Sequence, residues 1–160
     1  MSSLRDQLSS LMISVDPPSR MTIINPYTRQ PVRGKDNEDT AWVEVLSESS
    51  GPGRAFLRDQ TDQIMMRKGR VARSEDLEAN LSDKAARLTV GWHLLGLDGG
   101  APLPIPFSLG NARDLYAMPE MAWLRDQVLE HAADLGNWRQ TSLTTSSHTQ
   151  STNSVSTESA

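Results

Sequence analysis

Three histidines, a string of carboxylates and a cluster of arginines are the groups in this 160-residue chain that could catalyse or ligate. His93, His131 and His148 are too scattered to form a His-x₃-His or His-x-x-Glu pair, so no metal is expected. Glu75, Asp76, Glu78 and Asp83 could suggest acid–base work. Their place at a predicted helix start is cause enough, because acids there complement the helix dipole. Asp98 precedes Gly99 and Gly100 and reads as a turn former. No serine lies in a Gly-x-Ser-x-Gly elbow, and the absence of cysteine removes thiol catalysis, disulfides and Cys-ligated metals. The residues therefore point to a non-enzymatic protein without a cofactor.

Gly96-Leu97-Asp98-Gly99-Gly100 lacks the Gly-Lys-Ser/Thr of a phosphate loop and the strand–helix context of a dinucleotide site. Arg54, Arg58, Arg67, Lys68, Arg70 and Arg73 face only Asp59 and Asp62, and could meet phosphates, an acidic protein or only water. No aromatic residues interleave with them as in single-strand binders. The net charge of −4 and pI near 5.3 argue against general nucleic-acid binding. No stretch approaches the roughly 20 apolar residues of a membrane span. The N-terminus lacks the apolar block of a signal peptide. A soluble protein of a reducing cytoplasm is expected.

These groups must be positioned by a modest core. Leu4, Leu8 and Leu11 share one face of a predicted helix over 2–13, with Ser2 or Ser3 as cap. Asp16-Pro17-Pro18 stops it. Met21–Ile24 and Thr40–Leu46 read as strands of a hairpin or three-stranded sheet over 20–48. After the break at 49–53, Phe56, Leu57, Gln60, Ile64 and Met65 form a helical stripe ending near Gly69. A second helix, capped by Ser74, carries Leu77, Leu81, Ala85, Leu88, Trp92 and Leu95 in steps of four and three. Pro102, Pro104 and Pro106 keep the connector extended. Ser108 caps a short helix, and Pro119 opens a last one bearing Met121, Leu124, Val128, Ala132 and Leu135. From Thr141 onward the chain is nearly all polar, so disorder is expected. The expected fold is α+β, mainly α. An N-terminal helix or arm (1–19) and a small antiparallel β unit (20–48) precede the helical portion of the same domain (49–138). A Ser/Thr-rich tail (139–160) follows.

Four tryptophans remain. Trp42, Trp92 and Trp123 sit on core-type patterns. Trp138 follows the last helix, either folded back on the core or left as a docking aromatic.

The order Gly91-Trp92, Pro106-Phe107-Ser108, Asn111, Trp123-Leu124-Arg125-Asp126-Gln127-Val128 and Gly136-Asn137-Trp138 closely resembles the tail assembly chaperones of long-tailed bacteriophages. Asn25-Pro26-Tyr27-Thr28-Arg29-Gln30-Pro31 resembles a recurrent Pro-x-Thr-Gly-x-Pro turn of that family, with Arg29 in the usual glycine place. The likeness spans roughly residues 20–138. It implies a non-enzymatic role in virion morphogenesis in the bacterial host cytoplasm: coating the tape measure protein, then leaving before the tail is finished. It also implies a programmed frameshift to a longer form that recruits the major tail protein. Leu135-Gly136-Asn137 permits a slippery heptamer if encoded TTG-GGA-AAC, and the Ser/Thr-rich end resembles the short form's dispensable tail. Self-association is compatible with such coating.

Partner contact is expected in a groove between the helices of 75–95 and 119–135, at Trp92, Leu95, Trp123, Val128 and Trp138. Arg67 and Arg70 belong to the expected basic rim. The alternatives are a resident virion component (a minor tail or head–tail joining protein), then a nucleic-acid-binding regulator.

Overall fold

The computed structural model describes residues 2–66 and 74–138. Arg67, Arg70 and the Ser/Thr-rich tail, on which expectations were placed, lie outside the described residues. The fold is α+β and mainly helical, with one three-stranded antiparallel sheet: β1 (Ser19–Thr22), β2 (Trp42–Val45) and β3 (Thr89–His93). β2 is central, pairing Met21 with Val43 on one side and Val43 with Trp92 on the other. Side chains alternate across a strand. Met21, Val43, Val45 and Trp92 therefore enter the core, while Arg20, Glu44 and Trp42 share the outer face. There the Arg20 guanidinium lies 3.8 Å over the Trp42 ring.

The third strand corrects the helix expected to run from 74 to 95. Helix α3, as numbered below, ends at Leu88, and Thr89–His93 is strand. Leu88, Trp92 and Leu95 keep helical spacing, yet backbone pairing overrides it. The Leu46 N–H donates to the Leu88 carbonyl at 2.7 Å, and β3 then pairs along β2. The β-branched Thr89 and Val90 suit that choice. The Thr89 hydroxyl also donates to the Ala85 carbonyl at 2.8 Å, finishing the helix.

The helices are α1 (Leu4–Gln7), α2 (Gly51–Met66), α3 (Ser74–Leu88), α4 (Leu109–Ala117) and α5 (Ala122–Ala133). α1 is shorter than the expected 2–13 helix. A reciprocal Ser3–Asp6 capping box starts it, and no residue in it is buried. α2 has the expected place but not the expected stripe. Only Phe56 of that set is buried, while Leu57, Ile64 and Met65 are exposed. α3, α4 and α5 pack on each other and supply most of the helical core, including Leu88, Tyr116, Leu124 and Val128. The Tyr116 hydroxyl shares a hydrogen bond with the Thr89 hydroxyl at 2.9 Å, and burial pushes its pKa up to about 12. Ser82 donates to the Tyr116 carbonyl at 2.8 Å.

The family-like Trp-Leu-Arg-Asp-Gln-Val segment on α5 is mainly architectural. Leu124 and Val128 are buried. Gln127 accepts from the Ile24 N–H at 3.1 Å and donates to the Ile24 carbonyl at 2.8 Å, acting as a strand partner at the sheet margin. The buried Arg125 guanidinium reaches Glu78 of α3 at 2.5 Å and Asp126 at 3.1 Å. These two partners offset its desolvation and hold its pKa above the ordinary value.

Trp138 folds back. It is 7% exposed, its indole N–H donates to the Pro17 carbonyl at 2.8 Å, and its ring lies 5.8 Å from that of His131. The half-buried His131 imidazole shares a 2.9 Å hydrogen bond with the Ser19 hydroxyl. Burial pulls its pKa below the usual histidine value, against a smaller upward pull from Asp134. The unfolded chain therefore takes up a proton at this site before the folded chain does. Its contribution to stability is complete above about pH 6.5 and is lost as pH falls through the depressed folded value. Thermal melts are expected to shift downward below pH 6.5, and His131→Gln to flatten that slope. An unchanged slope would assign the acid sensitivity elsewhere.

Candidate binding site

Two backbone excursions from the sheet face one another at the N-terminal end of α5. The first continues β1. Ile23 pairs with Ala41 and Val32, and Asn25 closes a turn, its carbonyl accepting from Arg29 at 2.9 Å. Arg29 has φ 61°, a left-handed conformation that costs a side-chain-bearing residue. The turn therefore asks for glycine at the place where the resembling motif carries it. Arg29→Gly is expected to raise stability by about 0.5–1 kcal/mol after the extra unfolded-state entropy of glycine is counted. Chemical denaturation reads this directly, and a loss of stability would show that the Arg29 side chain outweighs the backbone cost.

The second excursion continues β3. Leu103 donates to the Leu94 carbonyl at 3.0 Å and Gly96 to the Ala101 carbonyl at 2.8 Å, with a turn through Gly99 and Gly100. The Pro-rich connector then passes Trp92, whose indole donates to the Ile105 carbonyl at 2.8 Å and meets Phe107 edge-on at 5.2 Å. Ser108 caps α4 by accepting from Asn111, and Asn111 in turn donates to the Pro106 carbonyl. The resembling residues 106–111 thus tie the connector to α4.

Between these excursions, the end of α4 and the start of α5 lies an open cavity of about 540 Å³. Its floor is Ile23, Val32, Leu94, Leu95, Leu115 and Leu124, all buried. Its walls carry large apolar side chains that remain accessible: Leu103 (43% exposed), Ile105 (40%), Met118 (51%) and the outlying Tyr27 (86%). Met121 and Trp123 are half-buried beside them. The charged residues of the lining are Asp114 and Glu120, both acidic. Apolar walls with a few polar groups at the edge suit recognition of an apolar helix or peptide segment.

The expected contact residues divide. Leu95 and Trp123 line this groove, whereas Trp92, Val128 and Trp138 do not. Those three are buried, so in this fold their surface serves the core and not a partner. The groove expected between the helices of 75–95 and 119–135 is filled by α3–α5 packing and by the Arg125–Glu78 pair. No described residue of the basic 54–73 segment lines the cavity; Arg54 and Arg58 are exposed on α2. Leu103 and Ile105 were not foreseen as contact residues. Their signal was the alternation of proline with leucine, isoleucine and phenylalanine from 102 to 107, where an extended segment leaves apolar side chains without a strand partner.

Among the described residues no cluster of histidine and carboxylates could hold a metal, and no helix is long and apolar enough to cross a membrane. No protein-family model, curated protein or solved structure matches the chain.

Proposed function

We propose that the chain is a non-enzymatic assembly chaperone of a phage tail, holding the apolar-striped helices of a tape measure protein in the 540 Å³ groove. The open apolar groove is the observation that carries the reading, and the sequence resemblance supplies the partner. A long helical protein with an apolar stripe aggregates before tube subunits enclose it, and a groove that covers the stripe in many copies prevents this. Each contact must be weak enough for displacement, which suits a short groove. Met118 and Met121 let one groove accept varied side chains along the partner.

Host-cytoplasmic location and departure from the finished particle belong to the same reading, as does recruitment of the major tail protein by a frameshifted form. Co-expression with the product of the long open reading frame downstream tests it. The partner, insoluble alone, is expected to become soluble and to co-purify. A partner that gains no solubility and never co-purifies ends the reading. Mass spectrometry of purified particles separates it from a resident minor tail or head–tail joining protein, since the chaperone is expected to be absent.

A further inference from the structure

We infer that the Asp98–Gly99 bond is a site of spontaneous isoaspartate formation, and that the product loosens the loop that walls the groove. Asp98 is the one aspartate of the chain followed by glycine, and no asparagine is followed by glycine. The reaction needs a carboxyl group free to turn, a main-chain nitrogen it can reach, and water. The turn at 97–100 supplies all three. Asp98 and Gly99 are exposed. Among the described residues neither the Asp98 carboxylate nor the Gly99 N–H has a hydrogen-bond or ionic partner. Gly99 carries no side chain to shield its nitrogen, its backbone turns freely, and a Cβ built on it would meet nothing within 4 Å. Asp134 has the opposite arrangement: its carboxylate accepts from the Gly136 N–H at 2.9 Å, and the branched Leu135 follows it. Asp39, Asp59 and Asp126 are held by His93, Arg87 and Arg125.

The protonated Asp98 carboxyl group is the electrophile. The Gly99 nitrogen attacks Asp98 Cγ, the N–Cγ bond forms, and the Cγ–hydroxyl bond breaks. The hydroxyl leaves with the amide proton as one water, closing a succinimide ring. One water then returns. Its addition at Cγ restores aspartate. Its addition at the main-chain carbonyl carbon breaks that carbon's bond to the Gly99 nitrogen and leaves the chain running through Cβ and Cγ. The isomer thus places one methylene carbon in the main chain directly before Gly100 and frees the old carbonyl as a carboxylate. Gly100 is buried against the neighbouring excursion so closely that a Cβ built on it would lie 2.2 Å from the Arg33 carbonyl oxygen. The lengthened chain cannot keep that seat together with the 2.8 Å hydrogen bond from Gly96 to the Ala101 carbonyl. Leu103 and Ile105 follow directly, so ageing of this bond displaces the groove wall.

Incubation of the full chain for weeks at neutral pH and physiological temperature, with samples digested by trypsin, tests the inference. The tryptic peptide 88–113 contains Asp98 as its single aspartate, and electron-transfer fragmentation distinguishes isoaspartate from aspartate there. Isoaspartate at Asp98 is expected to reach at least tenfold the level at any other aspartate of the chain. A lower-melting population is expected to grow in proportion to it. Gly99→Ala, whose methyl group has open space, is expected to slow formation severalfold. Circular dichroism checks that this variant folds. Asp98→Glu, whose cyclisation requires a larger ring, is the replacement if it does not, and is expected to age without the lower-melting population. A chain with no isoaspartate at Asp98, or with equal amounts at other aspartates, overturns the inference. Isoaspartate at Asp98 with an unchanged melt overturns the loosening of the loop. No tape measure protein enters this experiment, so failure here leaves partner capture to its own test.

Discussion

Gly100→Ala is expected to lower the melting temperature by on the order of 10 °C, the largest stability loss from adding a single methyl group to the groove-forming loops. Gly100 has φ 67°, and a Cβ built there would lie 2.2 Å from the Arg33 carbonyl oxygen and 2.8 Å from Gly34 Cα. Both obstacles are backbone, so no side chain can swing away. The left-handed conformation costs about 1–3 kcal/mol for a residue with a Cβ, and the overlap adds a similar amount. Together these are a large share of the total stability of a small domain.

Gly99 provides the control. It has φ 82° but nothing within 4 Å of its built Cβ, so Gly99→Ala carries only the conformational cost. Calorimetry should therefore separate the neighbours, with Gly99→Ala about half as damaging or less. Equal losses would mean that the Arg33–Gly34 turn yields to the methyl group. The effect bears on the proposed function because this contact seats one groove-forming excursion on the other. Displacing Gly100 shifts the Leu94–Leu103 wall relative to Ile23 and Val32.

Leu103→Glu/Met118→Glu is expected to reduce capture of the tape measure protein by at least 100-fold, with little change in folding. Both side chains are about half exposed, so carboxylates there remain hydrated in the free protein. Docking an apolar helix would bury two charges without partners, beside the existing acids Asp114 and Glu120. The lost apolar contact is worth about 1.5–3 kcal/mol per side chain, and desolvation of the carboxylates adds to it. Leu57→Glu on α2 removes an equally large exposed apolar side chain away from the groove. It is expected to leave capture unchanged. Co-purified yield and a binding isotherm read both variants, and loss of capture in Leu57→Glu alone would move the contact surface to α2.

How much of this was legible in the sequence differs by element. Ser108 as a cap and Leu124, Val128 and Ala132 of the expected last stripe follow from local chemistry, and local hydrogen bonds and burial bear them out, whereas Met121 lies half-buried before α5 and Leu135 exposed after it. The passage from α3 into β3 was not legible. Leu88, Trp92 and Leu95 continue a helical spacing that a strand also permits over so few residues, and the deciding partner, β2, lies more than forty residues earlier. Exposed Leu57, Ile64 and Met65 show the opposite failure, because a stripe at helical spacing does not say whether anything covers it. The cavity was not foreseen because residues 23–32 must come beside residues 94–124 to build it, and that long-range approach leaves no local signature. Leu95 and Trp123, expected at a groove between the helices of 75–95 and 119–135, nonetheless line the cavity.

Arg29 is a smaller example. The family-like turn has glycine at that place, and the left-handed φ of Arg29 gives the physical reason. Trp138 could have been docking aromatic or core. The Pro17 carbonyl, more than a hundred residues away, decides it by accepting the indole N–H.

Site-specific photo-crosslinking tests most directly the claim that the groove at 94–124 is where an apolar helical partner sits. A photoreactive amino acid placed at Met118, and separately at Leu57, is co-expressed with the tape measure protein and illuminated. The groove account predicts a crosslinked product from position 118 and none from position 57. Crosslinking from position 57 with none from position 118 would contradict it, and would put the partner on the exposed face of α2.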